Sequence, residues 1–143
     1  MKHVLVALAA LCVGAVLAVS ASATHAMTAC GLVTAAEYKQ VLGHPARLTP
    51  GEGSSSCNVR SGSAWIIPNL NPYNAAYVKR MLSTMPGKQR VASLGPVGYV
   101  VVGTDGSVTS YAAKGSWFVS FQGERGLSKA QAIKLAAIAL TRL

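Results

Sequence analysis

The stretch "YVVVGTDGSVTSYAAKGSWFVSFQ", residues 99–122, decides how this chain folds. Its β-branched and aromatic residues fall into three short runs, Tyr99 to Val102, Val108 to Ala113 and Trp117 to Phe121. Thr104-Asp105-Gly106-Ser107 and Lys114-Gly115 separate them. Runs of this length bounded by Gly, Asp and Ser read as antiparallel strands joined by turns. Asp105-Gly106 favours a tight hairpin because both residues tolerate positive φ. In the last run, alternation sets Trp117, Val119 and Phe121 on one face, expected to be core, and Ser120 and Gln122 on the other, with Phe118 breaking the pattern.

Outward from this meander the signals alternate in kind. Beyond it, Ser128-Lys129-Ala130-Gln131 is a capping box that opens a helix to about Arg142, with Ile133, Ala136, Ala137 and Leu140 sharing a face. Before it, Gln89 to Leu94 reads as another strand, stopped by Gly95-Pro96. Asn71 followed by Pro72 is a cap and first-turn pair, which predicts a helix from Pro72 to about Thr84, ended by Pro86-Gly87. Cys57 to Arg60 and Ala64 to Ile67 predict a hairpin around Ser61-Gly62-Ser63. Ala46 to Thr49 is a short strand, and Gly51 to Ser56 is expected to be a mobile loop of turn-permitting residues. A second capping box, Thr34-Ala35-Ala36-Glu37, with Val33 and Tyr38 placed as a hydrophobic staple, starts a helix from about Ala35 to Leu42 that Gly43 and Pro45 terminate. Together these predict an α+β fold: an antiparallel sheet with helices packed mainly on one face.

The N-terminus reads differently. A cationic start, Met1 to His3, precedes an apolar run from Val4 to Val19, and small-residue sites follow at Ala21-Ser22-Ala23 and Thr24-His25-Ala26. This is the layout of a secretory signal peptide, and the run is shorter than the roughly 20 residues that a spanning helix needs. Residues 1–23 are therefore expected to be removed, with a cut after Ala26 as the alternative, and residues 24–143 to form a single compact α+β domain of about 120 residues. No later stretch is apolar enough to span a bilayer. The expected location is secreted, periplasmic or otherwise in the cell envelope. Of the three cysteines Cys12 lies in the leader, so Cys30 and Cys57 remain in an oxidising compartment, where an even count favours one disulfide. Closing that loop contributes roughly 3 to 4 kcal/mol in the chain-entropy account. Lipid anchoring at Cys30 is disfavoured. Met27-Thr28-Ala29 lacks the usual Leu, Cys30 lies well past the apolar run, and an acylated Cys30 would leave Cys57 unpaired.

Cys30-Gly31-Leu32-Val33-Thr34, Val41-Leu42-Gly43, Ser56-Cys57, Leu94-Gly95 and the C-terminal Ala/Leu helix form an arrangement that resembles a family of small exported bacterial domains of unknown function, many of them actinobacterial lipoproteins. The resemblance implies a compact α+β domain, an early cysteine joined to the one after the Gly/Ser loop, and an envelope or secreted location. It implies no catalytic residue and no cofactor.

The chain has 13 Lys and Arg against 4 acids, a formal net charge of +9, of which only Lys2 belongs to the leader. Such a surface favours anionic partners: envelope polymers, lipid headgroups, an acidic protein or extracellular nucleic acid. No nucleic-acid-binding motif accompanies the charge, and good solubility is its plainer meaning. The sharpest cluster is "YVKRMLSTMPGKQR", residues 77–90, where Lys79, Arg80, Lys88 and Arg90 occur without an acid and close to Tyr73 and Tyr77. The plainer reading has Lys79 and Arg80 complementing a helix C-terminus while Tyr73, Tyr77 and Met81 fill its core face at i, i+4 spacing.

Catalytic signals are sparse. There is no Gly-x-Ser-x-Gly elbow, no Ser-x-x-Lys pair and no Gly-rich phosphate loop ending in Lys-Ser or Lys-Thr. With both cysteines paired no His/Cys metal cluster is expected, and His44 sits where it completes a helix end. Glu37 is explained by its cap and Asp105 by its turn, leaving Glu52 and Glu124 as dispersed loop acids. The expectation is an exported, non-enzymatic binding or interaction domain without a cofactor, whose basic surface meets an anionic envelope component or protein. A secreted inhibitor or accessory factor using the Gly51 to Ser56 loop is the alternative, and a small hydrolase using dispersed acids comes third.

Overall fold

Two capping boxes start the helices that flank the sheet. In α1 (Ala35–Leu42) the Thr34 hydroxyl accepts from the Glu37 N–H at 3.3 Å and a Glu37 carboxylate oxygen accepts from the Thr34 N–H at 2.8 Å. Gly43 ends the helix at φ +80°, a left-handed stop that glycine adopts without a Cβ penalty. In α3 (Lys129–Leu140) Ser128 and Gln131 exchange the equivalent bonds at 3.3 and 2.9 Å. The structure, a computed structural model, describes residues 26–143. The expected leader, residues 1–23, and its Cys12 lie outside the described residues. Among the described residues no helix is long and apolar enough to cross a membrane.

Seven antiparallel strands form one sheet: β1 (Ala46–Pro50), β2 (Cys57–Ser61), β3 (Ala64–Pro72), β4 (Gln89–Arg90), β5 (Tyr99–Val102), β6 (Val108–Lys114) and β7 (Trp117–Arg125), in the order β1-β2-β3-β7-β6-β5-β4. Tight two-residue turns at Gly62-Ser63 and Gly115-Ser116 join β2 to β3 and β6 to β7, each with its glycine at positive φ. The Asp105-Gly106 turn is looser than expected. Val102 pairs with Val108, so five residues intervene, and only Gly106 takes positive φ while Asp105 accepts from the Ser107 N–H and hydroxyl at 3.0 and 2.7 Å.

One sheet face carries the main core. Val59, Ile66, Leu70, Val100, Ala112, Val119 and Phe121 project toward α1 and α3, which bury Tyr38 and the small-residue face Ala132, Leu135, Ala136 and Ala139. That face is turned slightly from the one expected: Ile133, Ala137 and Leu140 are only half-buried. Alanines let α3 approach closely enough for the buried Ser110 hydroxyl to donate to the Ala132 carbonyl at 2.9 Å. The Cys30–Cys57 disulfide (S–S 1.96 Å, Cα–Cα 5.1 Å) ties the segment before α1 to the start of β2.

The other face explains why Phe118 broke the alternation. Phe118 and Ala113 are buried there beneath α2 (Ala75–Ser83), with Val78 and Leu82, in a second and smaller cluster. The Tyr111 and Phe118 rings stack at 6.0 Å.

Two element boundaries also differ from the expected ones. The helix predicted from Pro72 begins instead after Asn74, whose side chain accepts from the Tyr77 N–H at 2.9 Å, because β7 claims β3 as far as the Pro72–Trp117 pair. The strand predicted over Gln89 to Leu94 is two residues long, and Ala92–Leu94 turns into a 3₁₀ helix that buries Leu94.

Candidate functional site

The buried face of α2 differs from the one expected. Val78 and Leu82, four apart, face the sheet, whereas Tyr77 is 60 % exposed and fills no core position. Lys79 and Arg80 are exposed. On one flank of α2, Tyr73, Lys79, Leu82, Lys88, Val97 and Tyr99 are among the residues lining a groove of about 570 Å³. Tyr73, Pro96 and Val97 also line an adjoining hollow of about 460 Å³ that runs to Lys114, Gly115 and Leu140. Lys114 is already engaged there, donating to the Leu140 carbonyl at 2.8 Å at the end of α3. The opposite flank holds a more polar cleft of about 420 Å³ between Tyr77 and Met81 of α2 and Asn69, Asn71, Tyr111 and Ser120 of the sheet.

The six residues singled out in the sequence therefore separate. Tyr73, Lys79 and Lys88 meet in one groove, and Tyr77 faces the other flank. Arg80 is exposed and lines neither. Arg90 is occupied by the fold: its Nη1 donates to the Gly95 and Gly98 carbonyls at 2.5 and 3.1 Å and its guanidinium lies 5.5 Å from the Tyr99 ring centroid. Such contacts fix the loop that carries Pro96 and Val97, so Arg90 shapes the groove wall. Lys79, Arg80 and Lys88 form no ion pair among the described residues.

The acids are dispersed. Glu37 is clasped by Arg142, whose Nη2 donates to both carboxylate oxygens at 2.8 Å, and these hydrogen bonds, with those from Thr34, draw its pKa down to about 2 from 4.5. Asp105 is lowered by its bonds from Ser107. Glu52 is exposed on the Gly51 to Ser56 loop, and Glu124 accepts from the Gln122 amide at 2.6 Å on β7. His44 is exposed, and its carbonyl accepts from the Ser61 hydroxyl at 2.8 Å. No group of three or more His, Cys, Asp or Glu capable of holding a metal gathers among the described residues.

The Gly51 to Ser56 loop, expected to be mobile, is instead pinned on three sides. The Ala29 N–H donates to the Ser54 carbonyl and the Leu70 N–H to the Ser55 carbonyl, each at 2.8 Å, and Gly51 closes on Ser56 at 3.1 Å. Only its tip, Glu52 and Gly53, lacks backbone bonds of this kind among the described residues.

A second basic constellation escaped the sequence reading. Arg47, Arg60, Trp65 and Arg125 occupy successive cross-strand positions on β1, β2, β3 and β7. The expected three-residue turn at Ser61-Gly62-Ser63 sets Arg60 against Ala64, whereas the two-residue Gly62-Ser63 turn pairs Ser61 with Ala64 and so opposes Arg60 to Trp65. No family model, curated protein or solved structure matches the chain.

Proposed function

We propose that this is an exported, non-enzymatic binding domain that holds an anionic envelope component or protein against the groove beside α2. The observation that carries the reading is the convergence of Lys79 and Lys88 on a groove whose remaining lining is largely aromatic and aliphatic, Tyr73, Leu82, Val97 and Tyr99. Ammonium groups on flexible stems at the rim of an apolar trough suit a ligand with an apolar body and a negative head. No acid among the described residues neutralises them. The expected signal peptide supports export, as does the disulfide, because such bonds persist in oxidising compartments.

The test is capture from envelope extracts at low and moderate salt by the mature chain and by a Lys79→Ala/Lys88→Ala variant. Salt-sensitive capture lost in the variant is the expected result, since exposed charge pairs are screened beyond about 10 Å at 0.1 M salt. Capture unaffected by either change sinks the reading. The inhibitor alternative draws on the pinned Gly51 to Ser56 loop, a rigid element of the kind that enters a cleft at low entropic cost. Salt-insensitive binding abolished by Glu52 and Gly53 substitutions favours it.

A further inference from the structure

The register of the sheet assembles a row of charge that no single stretch of sequence displays. Arg47 pairs with Arg60 and Arg60 with Trp65, and Trp65 pairs with Arg125 across a β-bulge: Ile66 pairs with Gly123, so Glu124 and Arg125 of β7 together oppose Trp65. Their neighbours Val59, Ser61, Ala64 and Ile66 are buried on the core side. Alternation therefore sends Arg60 and Trp65 to the reverse face, the one that α2 covers elsewhere. With strands spaced about 4.8 Å apart, the row extends over about 15 Å.

This row is costly as a purely structural feature. Like charges directly opposite one another destabilise a strand pair, and Arg47 faces Arg60 with no ion pair to either among the described residues. The Arg60 guanidinium carbon lies 4.0 Å from the centroid of the Trp65 ring. Held over the ring, the Arg60 guanidinium makes no hydrogen bond among the described residues, although those of Arg90 and Arg142 both do. A guanidinium braced in this way is a fork already oriented for two oxygens of one anion, at a smaller entropic cost than a free side chain.

The balance of charge selects the anion. Three arginines in the row, set against Glu124 next to Arg125, leave a surplus of two positive charges. A carboxylate neutralises one of these, whereas a phosphate monoester carries nearly two negative charges at neutral pH and offers three acceptor oxygens. We propose that Arg47, Arg60 and Arg125, braced by Trp65, form a binding site for the phosphate group of a phosphomonoester, separate from the groove beside α2. Arg60 holds two oxygens through its N–H edge, and Arg47 and Arg125 supply charge from either side.

The experiment follows Trp65 fluorescence in a Trp117→Phe background as inorganic phosphate, glycerol 2-phosphate or acetate is added at constant ionic strength. Saturable binding is expected for both phosphates, with glycerol 2-phosphate at least as tight as inorganic phosphate and acetate weaker by about tenfold or more. Arg60→Lys keeps the charge and loses the fork, and is expected to weaken phosphate binding by about tenfold. Arg47→Ala, a change at an exposed position on an edge strand, weakens it as well, while Lys79→Ala/Lys88→Ala leaves it unchanged. That last arm separates this site from the proposed groove. No saturable response, an equal response to acetate, or full binding by Arg60→Lys overturns the proposal. Inorganic phosphate binding tighter than glycerol 2-phosphate overturns its assignment to an ester.

Discussion

Neutralising Glu37 should expose how the two ends of the described chain are clasped. Its carboxylate does three things at once. It completes the α1 capping box by accepting from the Thr34 N–H, takes a further bond from the Thr34 hydroxyl, and accepts both bonds from Arg142. Arg142 in turn donates to the carbonyl of fully buried Leu32 at 2.8 Å, so the pair closes the start of α1 against the residues just past α3. The Arg142 bonds, ahead of those from Thr34, lower the Glu37 pKa from 4.5 to about 2. Unscreened, that shift corresponds to about 3 kcal/mol at neutral pH. The pair is about a third exposed, with side-chain accessibilities of 32 % and 29 %, so solvent screening reduces the expected contribution to about 1 kcal/mol. Because the folded-state pKa is depressed, this stability is complete above pH 4.5 and is lost as the pH falls toward 2. Glu37→Gln, which keeps an amide oxygen for the cap, should lower the melting temperature at pH 7 by about 4 °C. Calorimetry of both proteins from pH 7 to pH 2 should show the gap closing across that window. A gap of equal size at pH 7 and pH 2, or no gap at pH 7, refutes the electrostatic account and leaves only the cap.

Two further outcomes follow from groups the fold leaves in unusual positions. Tyr38 is 1 % exposed, its hydroxyl has no hydrogen-bond partner among the described residues, and burial pushes its pKa well above the ordinary range; Tyr38→Phe should therefore raise stability by about 1 kcal/mol in denaturant titration, and a loss would reveal a partner for the hydroxyl. Leu82→Ala should cost about 2 to 3 kcal/mol of α2 docking, and amide exchange should accelerate through Ala75–Ser83 while β3 and β7 keep their protection; uniform acceleration across the sheet would mean that α2 is part of the main cooperative unit.

What could be read in advance was whatever depends on near neighbours. Thr34 with Glu37, Ser128 with Gln131, and Gly43 after Leu42 each specify a helix end through atoms three or four residues apart, and both capping boxes form as expected. The runs at Tyr99, Val108 and Trp117 begin their strands as read, because alternation and Gly turns are local too. The errors come from pairings between distant segments. Asn71-Pro72 is a sound helix-start signal on its own, yet β7 extends β3 through Pro72 and hands the cap to Asn74. In the helix itself the sheet takes Val78 and Leu82, one position on from Tyr77 and Met81, and leaves Tyr77 outside. The arginine row is a stronger case. Arg47 and Arg125 are far apart in the sequence and share a row only because β2 and β3 stand between β1 and β7.

The two faces of the sheet are covered unequally. The face toward α1 and α3 is sealed by Tyr38, Leu135 and the buried alanines of α3, and the disulfide fixes its edge. The reverse face has one helix, seated on Phe118 and Ala113 through two buried side chains, with open clefts on either flank. An element held by two side chains opens at lower free energy than one held by four. Lys79 belongs to that element, whereas Lys88 lies between it and β4, so an anion bridging the two lysines also spans the seam at Leu82. Binding there adds its own free energy to the docking of α2, about 2.7 kcal/mol when the ligand is present at 100 times its dissociation constant. Arg60 and its row lie on paired strands and gain nothing from the position of α2. On the proposed reading, an anion in the groove would therefore restrain α2, while one on the arginine row would meet strands already paired in the sheet.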